Sequence, residues 1–233
     1  MSGNTRSPNL KSIQTYKETS LHAALKNWYT QPGDLIESRV DGYRIDIVRG
    51  ALLIEIQISN FSRLRAKIKN LLVNHQIRLV YPIPMVKWIK YIDTDKRRLS
   101  PRKGKLEHIY QELVYIIPFL SHPNLSLEVL FIHEEEIRLR DGRGSWRRKG
   151  TSIIDRRLVS VDSRLLLDIP TISRNLLTEF KNREFTSKDI ALHRKITANL
   201  ARKLAYYMLK TEMITITGKR GRHNLFAFRG AQD

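Results

Sequence analysis

The stretch that decides the fold is VDGYRIDIVRGALLIEIQ, residues 40–57. Two runs rich in β-branched and aromatic residues, 43–48 and 52–58, flank a short break that contains glycine, which is typical of a tight β-hairpin. If Gly50 and Ala51 form a two-residue loop, glycine takes the first central position of a type II′ turn. The stretch therefore predicts two antiparallel strands in a fixed register.

This register places two acidic side chains directly across from each other. Asp46 lies opposite Glu55, and Arg44 lies opposite Gln57. Strand alternation puts Asp46, Glu55 and Gln57 on one face of the hairpin. The opposite face then carries Ile45, Ile47, Ile54 and Ile56.

Opposed acids on adjacent strands repel each other, because their Cβ atoms are about 4.5–5.5 Å apart. The pair therefore requires a positive partner. A divalent metal is favoured, since hard cations bind carboxylate and amide oxygens. A salt bridge from Arg44 or Arg39 on the same surface is the alternative.

Asp46, the short hairpin and Glu55-Ile56-Gln57 running into a helix resemble the core of the PD-(D/E)XK nuclease superfamily, over residues 12–85. The resemblance implies a restriction-endonuclease-like α/β fold, a mixed sheet flanked by helices. In that family an Asp, a Glu and a Lys on paired strands bind Mg²⁺ and position the attacking water. This chain has Gln57 where lysine is more frequent, as some restriction-type members do. The resemblance implies Mg²⁺ or Mn²⁺ bound by Asp46, Glu55 and the main-chain carbonyl of Ile56.

The same resemblance implies further site residues on the helices beside the hairpin. In some members a lysine of the following helix replaces the strand lysine, and Lys67 is the candidate here. A solvated basic face is the alternative for this helix. A helix before the hairpin often adds an acid, for which Glu18 is the first candidate and Glu37 the second. Both are equally consistent with surface acids.

The charge balance points to a polyanionic partner. The chain of 233 residues has 42 Lys and Arg against 23 Asp and Glu, a net charge of +19 and a pI near 10.3. Nucleic acid is favoured over a membrane surface, because no segment resembles a membrane-interface helix. A solvated basic surface is the alternative. With no cysteine, the chain has no disulfide, thiolate zinc site or thiol nucleophile.

The sequence also bears on location and assembly. No stretch approaches 18 uncharged apolar residues, and residues 1–10 lack an apolar signal core. We therefore expect a soluble, cytoplasmic protein that does not associate with membranes. A homodimer is compatible with the sequence, which does not fix the oligomeric state.

Two basic segments are predicted to contact nucleic acid. Residues 96–105 are predicted as a flexible loop that binds phosphates. In residues 138–157, Trp146 among arginines suits stacking on a base and equally suits an anchor on the protein surface. The expected contacts are Arg97, Arg98, Arg102, Lys103, Arg147 and Arg148.

The region between these elements is predicted to add strands to the sheet. Residues 77–82 form a central strand, because they are nearly continuously apolar. Residues 88–92 and 126–132 form two further strands. The acids at 134–136 are predicted as a solvated edge, because consecutive acids on a strand cannot converge on a metal.

From residue 171 the pattern predicts three short helices and a hairpin with a basic tip. This order resembles a winged helix-turn-helix domain over residues 170–230, which implies binding to DNA in preference to RNA, with the third helix in the major groove. Protein interaction is the alternative use of such a domain. The exposed positions expected on the third helix are Thr197, Asn199, Arg202, Lys203 and Tyr206, and those at the wing tip are Lys219, Arg220 and Arg222.

These observations predict a loose arm at residues 1–11, a nuclease-like domain at 12–168 and a winged-helix domain at 169–233. The predicted activity is metal-dependent endonucleolytic hydrolysis of DNA. A catalytically inactive nuclease fold acting as a DNA-binding regulator or architectural factor is the alternative, which Gln57 supports. An RNA-binding scaffold is a third class, and a preference for RNA over duplex DNA would distinguish it.

Overall fold

The computed structural model describes residues 19–94 and 96–229. The predicted acid Glu18 and the predicted arm at 1–11 lie outside these residues. One mixed sheet has the strand order β1-β2-β3-β4-β6-β7, with β5 also paired to β4. Its strands are β1 (Leu35–Val40), β2 (Tyr43–Arg49), β3 (Leu52–Ile56), β4 (Gln76–Tyr91), β5 (Arg97–Leu99), β6 (Leu125–Arg140) and β7 (Thr151–Leu166).

Helices flank this sheet, so the predicted α/β class is confirmed. Short 3₁₀ turns precede α2 and α3, at Phe61–Leu64 and Leu106–Ile109. The helices are α1 (Ser20–Tyr29), α2 (Arg65–Leu71), α3 (Tyr110–Leu113), α4 (Ile169–Leu176), α5 (Ser187–Arg194) and α6 (Ala198–Lys210). A separate hairpin, β8 (Ile214–Arg220) and β9 (His223–Phe228), ends the described chain. No helix within 19–94 and 96–229 has the length and apolar character to cross a bilayer.

The turn end of the β2–β3 hairpin has the predicted register, but the pairing does not extend to the predicted Asp46–Glu55 and Arg44–Gln57 pairs. Val48 pairs with Leu53 and Arg49 pairs with Leu52. Gly50 has a φ of +55°, a region that costs glycine little. Ala51 is not among the residues with positive φ, which agrees with a type II′ turn, because type I′ requires positive φ at both positions.

Both faces of the sheet are buried, as the nearly continuous apolar run at residues 77–82 indicated. Leu53 and Leu79 pack into one hydrophobic cluster, whereas their neighbours Ile54 and Val80 pack into another. Adjacent residues of a strand point to opposite faces, so the clusters cover opposite sides. The first cluster includes residues of α2, α3 and α4–α6, and the second includes α1.

The prediction that the four isoleucines share a face was wrong for one of them. Ile45 packs in the first cluster, whereas Ile47, Ile54 and Ile56 pack in the second. Strand alternation is therefore interrupted at Asp46. The physical reason is that the β2–β3 pairing stops at Ile47 and Ile54, and the Ile56 N–H donates to the Asp46 carboxylate instead.

Strand β4 is longer than the sequence predicted. It joins the two predicted strands at 77–82 and 88–92 into one strand, which lies between β3 and β6 and parallel to both. Pro82 and Pro84 lie within this strand, although proline donates no hydrogen bond to a ladder. The sheet accommodates them with a register shift between Pro84 and Val86.

Part of the basic segment 96–105 forms strand β5, so the prediction of a loop was wrong for residues 97–99, although these residues are exposed. Its residues 97–99 pair with 88–90 of β4, and the Arg97 guanidinium lies 4.7 Å from the centroid of the Trp88 ring. Gly104 donates its N–H to the Pro84 carbonyl at 2.8 Å. The segment therefore lies along the second half of β4, beyond the end of β3.

The acids of β6 are buried, so the prediction of a solvated edge was wrong as well. Glu134 and Glu136 are each 2% exposed, because β4 and β7 flank β6 on both sides. Lys87 Nζ lies 2.7 Å from Glu134 Oε1 and 3.5 Å from Glu136 Oε2. Arg138 Nη2 lies 2.6 Å from Glu136 Oε1. Basic side chains from β4 and β6 thus compensate the buried charge.

The C-terminal helices and hairpin follow the predicted order, and they pack on α3. Tyr110 of α3 forms a hydrogen bond with Ser173 at 2.7 Å, and its ring centroid lies 5.1 Å from that of Tyr207. Thr186 caps α5, accepting a hydrogen bond from the Asp189 N–H. The hydrophobic cluster is therefore continuous between this region and the sheet.

Candidate functional site

The Asp46 carboxylate lies between α1 and β3. Its Oδ2 accepts the Ile56 N–H at 2.8 Å and lies 3.2 Å from His22 Nε2. Because strand alternation is interrupted at Asp46, the carboxylate does not take the direction that a regular strand would give it. Asp46 is therefore held by a backbone amide and faces an imidazole.

His22 is the functional candidate that the sequence analysis missed. Its Nε2 lies 2.9 Å from the Ile56 carbonyl and 3.2 Å from Asp46 Oδ2. These are two of the oxygen groups predicted to bind a metal. Thr19 caps α1, and the buried residues Leu21 and Leu25 fix the helix against the sheet. The signal in the sequence was a histidine directly after the first buried position of this helix.

Glu55 of β3 is paired with Lys67 of α2. Lys67 Nζ lies 2.6 Å from Glu55 Oε1 and donates to the Arg44 carbonyl at 2.5 Å. The Glu55 side chain is 13% exposed and that of Lys67 is 15% exposed. The structure thus brings the predicted helix lysine to the predicted strand acid.

The electrostatic state of Glu55 is unusual. Burial, and next the charge of Asp46, raise the pKa of Glu55 to about 7, although the nearby Lys67 ammonium lowers it. Its Oε2 atom is buried and has no hydrogen-bond partner among the described residues. A buried carboxylate oxygen without a partner is costly, so this atom is available to a further cation or donor.

Gln57 directly follows β3 and is two residues after Glu55 of the Glu55–Lys67 pair. Its N–H donates to the Val80 carbonyl at 2.9 Å, and its side-chain amide donates to the carbonyl of Ser59. By strand alternation Gln57 lies on the same side as Glu55. The predicted site residues Asp46, Glu55, Ile56, Gln57 and Lys67 therefore lie together at the end of the hairpin.

The second predicted acid, Glu37, serves a different role. It forms ion pairs with Lys26, at 2.5 Å, and with Arg44. Hydrogen bonds from these two side chains lower the pKa of Glu37 to about 2. The Arg44 side chain, proposed as an alternative partner of the opposed acids, thus pairs with Glu37.

The donor atoms of the site suit a divalent cation. The Asp46 and Glu55 carboxylates and the Ile56 carbonyl are hard oxygen ligands, and the partnerless Glu55 Oε2 provides one of them. The His22 Nε2 contacts two acceptor oxygens, so this nitrogen carries a proton and acts as a hydrogen-bond donor here, not as a metal ligand. Within the described ranges, however, no three His, Cys, Asp or Glu side chains form a preassembled metal site. The chemistry fits a cation, and the side chains would have to close around it.

The predicted phosphate contacts outside the hairpin lie on two elements. Arg97 and Arg98 are in β5, and Arg147 and Arg148 form a 3₁₀ turn between β6 and β7. Trp146 in that turn is 82% exposed. This exposure does not agree with the alternative in which Trp146 anchors the turn to the protein surface.

The predicted contacts of the C-terminal region are partly engaged. Asn199 and Arg202 are exposed on α6, but Lys203 donates to the Gln111 carbonyl at 2.8 Å, so the prediction that it is exposed was wrong. Arg220 Nη1 lies 3.3 Å from Asp189 Oδ2. The other two tip residues, Lys219 and Arg222, are exposed.

The fold and the site define an α/β protein with paired acids at the end of a sheet hairpin. The chain belongs to the family described as Domain of unknown function (DUF8091), whose sequence profile matches residues 19–168. A protein of Treponema pallidum (strain Nichols), described as an uncharacterized protein, is 32% identical over 221 residues, which cover 92% of this chain and 87% of that protein. No solved structure matches the chain significantly. The matched family segment includes His22, Asp46, Glu55 and Lys67.

Proposed function

We propose that this protein is a metal-dependent DNA endonuclease of the PD-(D/E)XK type. The observation that carries the proposal is the grouping of the Asp46 carboxylate, the Ile56 carbonyl and the Glu55–Lys67 ion pair at the end of one hairpin. The element order also supports it, because α1 is followed by an antiparallel hairpin, α2 and the parallel strand β4. The net charge of +19 favours a polyanionic substrate.

Mg²⁺ or Mn²⁺ would be held by Asp46, Glu55 and the Ile56 carbonyl, and the His22 N–H would have to leave the Asp46 and Ile56 oxygens as the cation binds. When bound, the cation lowers the pKa of a water molecule and neutralises charge that develops on the phosphate. Lys67 holds the Glu55 carboxylate and supplies a positive charge beside it. Gln57 orients a water once its amide leaves the Ser59 carbonyl.

DNA is the proposed nucleic acid, and the C-terminal region is proposed to act as a winged helix that targets it. The support is the order of three helices and a hairpin, with Lys219 and Arg222 exposed at the tip. The engagement of Lys203 with Gln111 leaves Asn199, Arg202 and Tyr206 as the exposed candidates on α6. These contacts would be to phosphates and bases of a duplex segment.

The experiment that tests the activity is nicking of supercoiled plasmid in Mg²⁺ or Mn²⁺, with EDTA as the blank. We expect Glu55→Gln to reduce nicking by at least about 10²-fold, the loss typical when one electrostatic group of a site is removed. Glu212→Gln makes the same chemical change at an exposed ion pair with Arg229 and should nick normally. Nicking that persists in Glu55→Gln would refute the proposal.

Metal binding itself predicts a thermal shift. A ligand that binds only the folded state stabilises it, by about 2.7 kcal/mol at 100 times its Kd. For a chain of this size we expect Mn²⁺ or Mg²⁺ at that excess to raise the melting temperature by roughly 5–10 °C at pH 8. The shift should disappear in Asp46→Asn and persist in the exposed variant Asp93→Asn, and calorimetry of unfolding checks both.

The regulator remains a second candidate, because one observation favours it. His22 Nε2 and Lys67 Nζ already contact the two acids, so the pair has positive or hydrogen-bonding partners without a metal. A DNA-binding regulator would show a sequence-specific duplex footprint, no nicking and no shift with Mg²⁺ or Mn²⁺. The thermal shift therefore separates the two functions before any substrate is known.

A further inference from the structure

A cleft of about 280 Å³ opens beside the acidic site and is not used by the chemistry proposed above. One wall includes Ile58 and Ser59, which directly follow Gln57 in the chain. The opposite wall is formed by residues 102–104, after β5. The cleft thus lies between the end of the hairpin and the basic segment 96–105.

Two cations at the second wall have no acidic partner. In the part of the chain that the structure describes, neither the Arg102 guanidinium nor the Lys103 ammonium forms an ion pair, and both residues are exposed. Lys87 also lines the cleft, but it is paired with Glu134. Arg102 and Lys103 are therefore the cations available to an anionic group of a ligand.

The backbone at this wall is held rigidly against β4. A Cβ atom added to Gly104 would lie 2.5 Å from the Pro84 carbonyl oxygen and 2.7 Å from Ile83 Cγ2. The Gly104 N–H also donates to the Pro84 carbonyl at 2.8 Å. This close approach fixes the position of the two residues before Gly104, so their charges are presented at one place.

The other lining groups include two carboxylates, those of Glu112 and Glu134, besides apolar contacts and a neutral donor. Leu21, Pro82 and Ile132 line the cleft. His108 lines it as well, and its Nδ1 accepts the Lys105 N–H at 2.8 Å, so that Nε2 carries the proton in the neutral ring. Such a surface suits a ligand that combines an anionic group with a flat apolar body and polar edges.

We propose that this cleft binds one unpaired nucleotide of a DNA strand, with its phosphate at Arg102 and Lys103 and its base against the apolar lining. The inference rests on the proposed nuclease function and specifies its substrate. The strand cut at Asp46 and Glu55 would carry an unpaired end or a single-stranded stretch next to the scissile bond. A continuous duplex has no unpaired nucleotide to bind in the cleft.

The size of the cleft supports one nucleotide. Small-molecule sites have volumes of about 300–1,000 Å³, and this cleft, at about 280 Å³, is just below that range. A double helix is too wide to enter such a space, since its major groove, which is only part of its width, already measures about 12 Å across. The walls would therefore contact a nucleotide that has left the helical stack.

The test measures binding without cleavage, with the full chain in EDTA. Four DNA probes of one sequence carry an internal dye: a blunt duplex, the same duplex with a short 5′ overhang, the same duplex with a short 3′ overhang, and the single strand. We expect one overhang polarity and the single strand to bind at least about tenfold more tightly than the blunt duplex, as for one additional charge-assisted contact.

Matched variants separate the cleft from general charge. Arg102→Gln with Lys103→Gln should reduce the preference to within about twofold, whereas Lys181→Gln with Lys188→Gln loses the same charge elsewhere and should keep it. Ser59→Trp narrows the cleft without changing charge and should also remove the preference. Melting temperatures close to that of the wild type confirm that each variant is folded.

Three outcomes would overturn the inference: equal binding of blunt and overhang probes by the wild type, a preference that survives in the Arg102/Lys103 variant, or a thermal shift with dAMP alone and no overhang preference. The last result would indicate a site for free nucleotides. If the preference is observed while plasmid nicking fails, the nuclease proposal falls and the cleft assignment stands, so the two failures are distinguishable.

Discussion

Replacing Lys67 with methionine should destabilise the protein by about 3 kcal/mol at pH 8.5 and by about 1 kcal/mol at pH 5.5. Lys67 Nζ lies 2.6 Å from Glu55 Oε1, and both side chains are largely buried. Removing the ammonium leaves a buried carboxylate without its compensating charge, which is far more costly than the loss of an exposed pair. Denaturant unfolding at the two pH values measures the difference.

The pH dependence follows from the pKa of Glu55, which burial and Asp46 raise to about 7. A carboxyl whose pKa is raised in the folded state binds its proton more tightly there than in the unfolded chain. Its favourable contribution is complete below the unfolded pKa near 4.5 and is lost as pH rises through about 7. Without Lys67 the folded pKa rises further, so the cost of the substitution grows above pH 7.

Lys69→Met is the matched control for this prediction, because Lys69 is on the same helix and exposed. It should change the free energy of unfolding by less than about 0.5 kcal/mol at both pH values. A Lys67→Met variant with the same loss at pH 5.5 and 8.5 would contradict the electrostatic explanation. On the proposed function, Lys67→Met should also reduce plasmid nicking by about 10²-fold.

Replacing Lys87 with methionine should cost about 3–5 kcal/mol in the free energy of unfolding at pH 7. Lys87 Nζ contacts Glu134 at 2.7 Å and Glu136 at 3.5 Å, and both acids are 2% exposed. Arg138 and Arg156 compensate Glu136 in addition. Glu134 would lose its closest cation, so its charge would remain buried inside the sheet. Denaturant titration of the variant measures this loss.

A second substitution isolates the cause. Lys87→Met combined with Glu134→Gln removes both charges and should recover about 2 kcal/mol relative to Lys87→Met alone, a coupling expected for groups in direct contact. Arg229→Met breaks the exposed pair with Glu212 and should cost at most about 1 kcal/mol. If the double variant is no more stable than Lys87→Met, the loss comes from packing and the explanation fails.

The elements that could be predicted from the sequence are those that local chemistry determines. The register of the β2–β3 hairpin follows from Gly50 in the turn, and the buried stripe of α2 follows from the spacing of Phe61, Leu64, Ile68 and Leu71. The order of three helices and a hairpin at the C-terminus was also predictable. In each case the determining residues lie within a few positions of one another.

The features that could not be predicted depend on contacts between distant parts of the chain. Glu134 is buried because Lys87, 47 positions earlier, lies beside it in the sheet. His22 reaches Asp46 and Ile56 only after α1 packs on the sheet, at separations of 24 and 34 positions. The pairing of β5 with β4 likewise gives order to a segment whose composition alone suggested a loop.

The packing of the C-terminal helices on α3 determines whether the chain can be cut into two parts that fold separately. Tyr110 contacts both Ser173 and Tyr207, and Arg194 pairs with Glu107, so the two halves of the chain share one apolar interior. A chain cut after residue 168 would leave this interior open to water and favour aggregation. The segment that would select a nucleic acid and the segment that carries the acids are therefore expected to unfold as one cooperative unit.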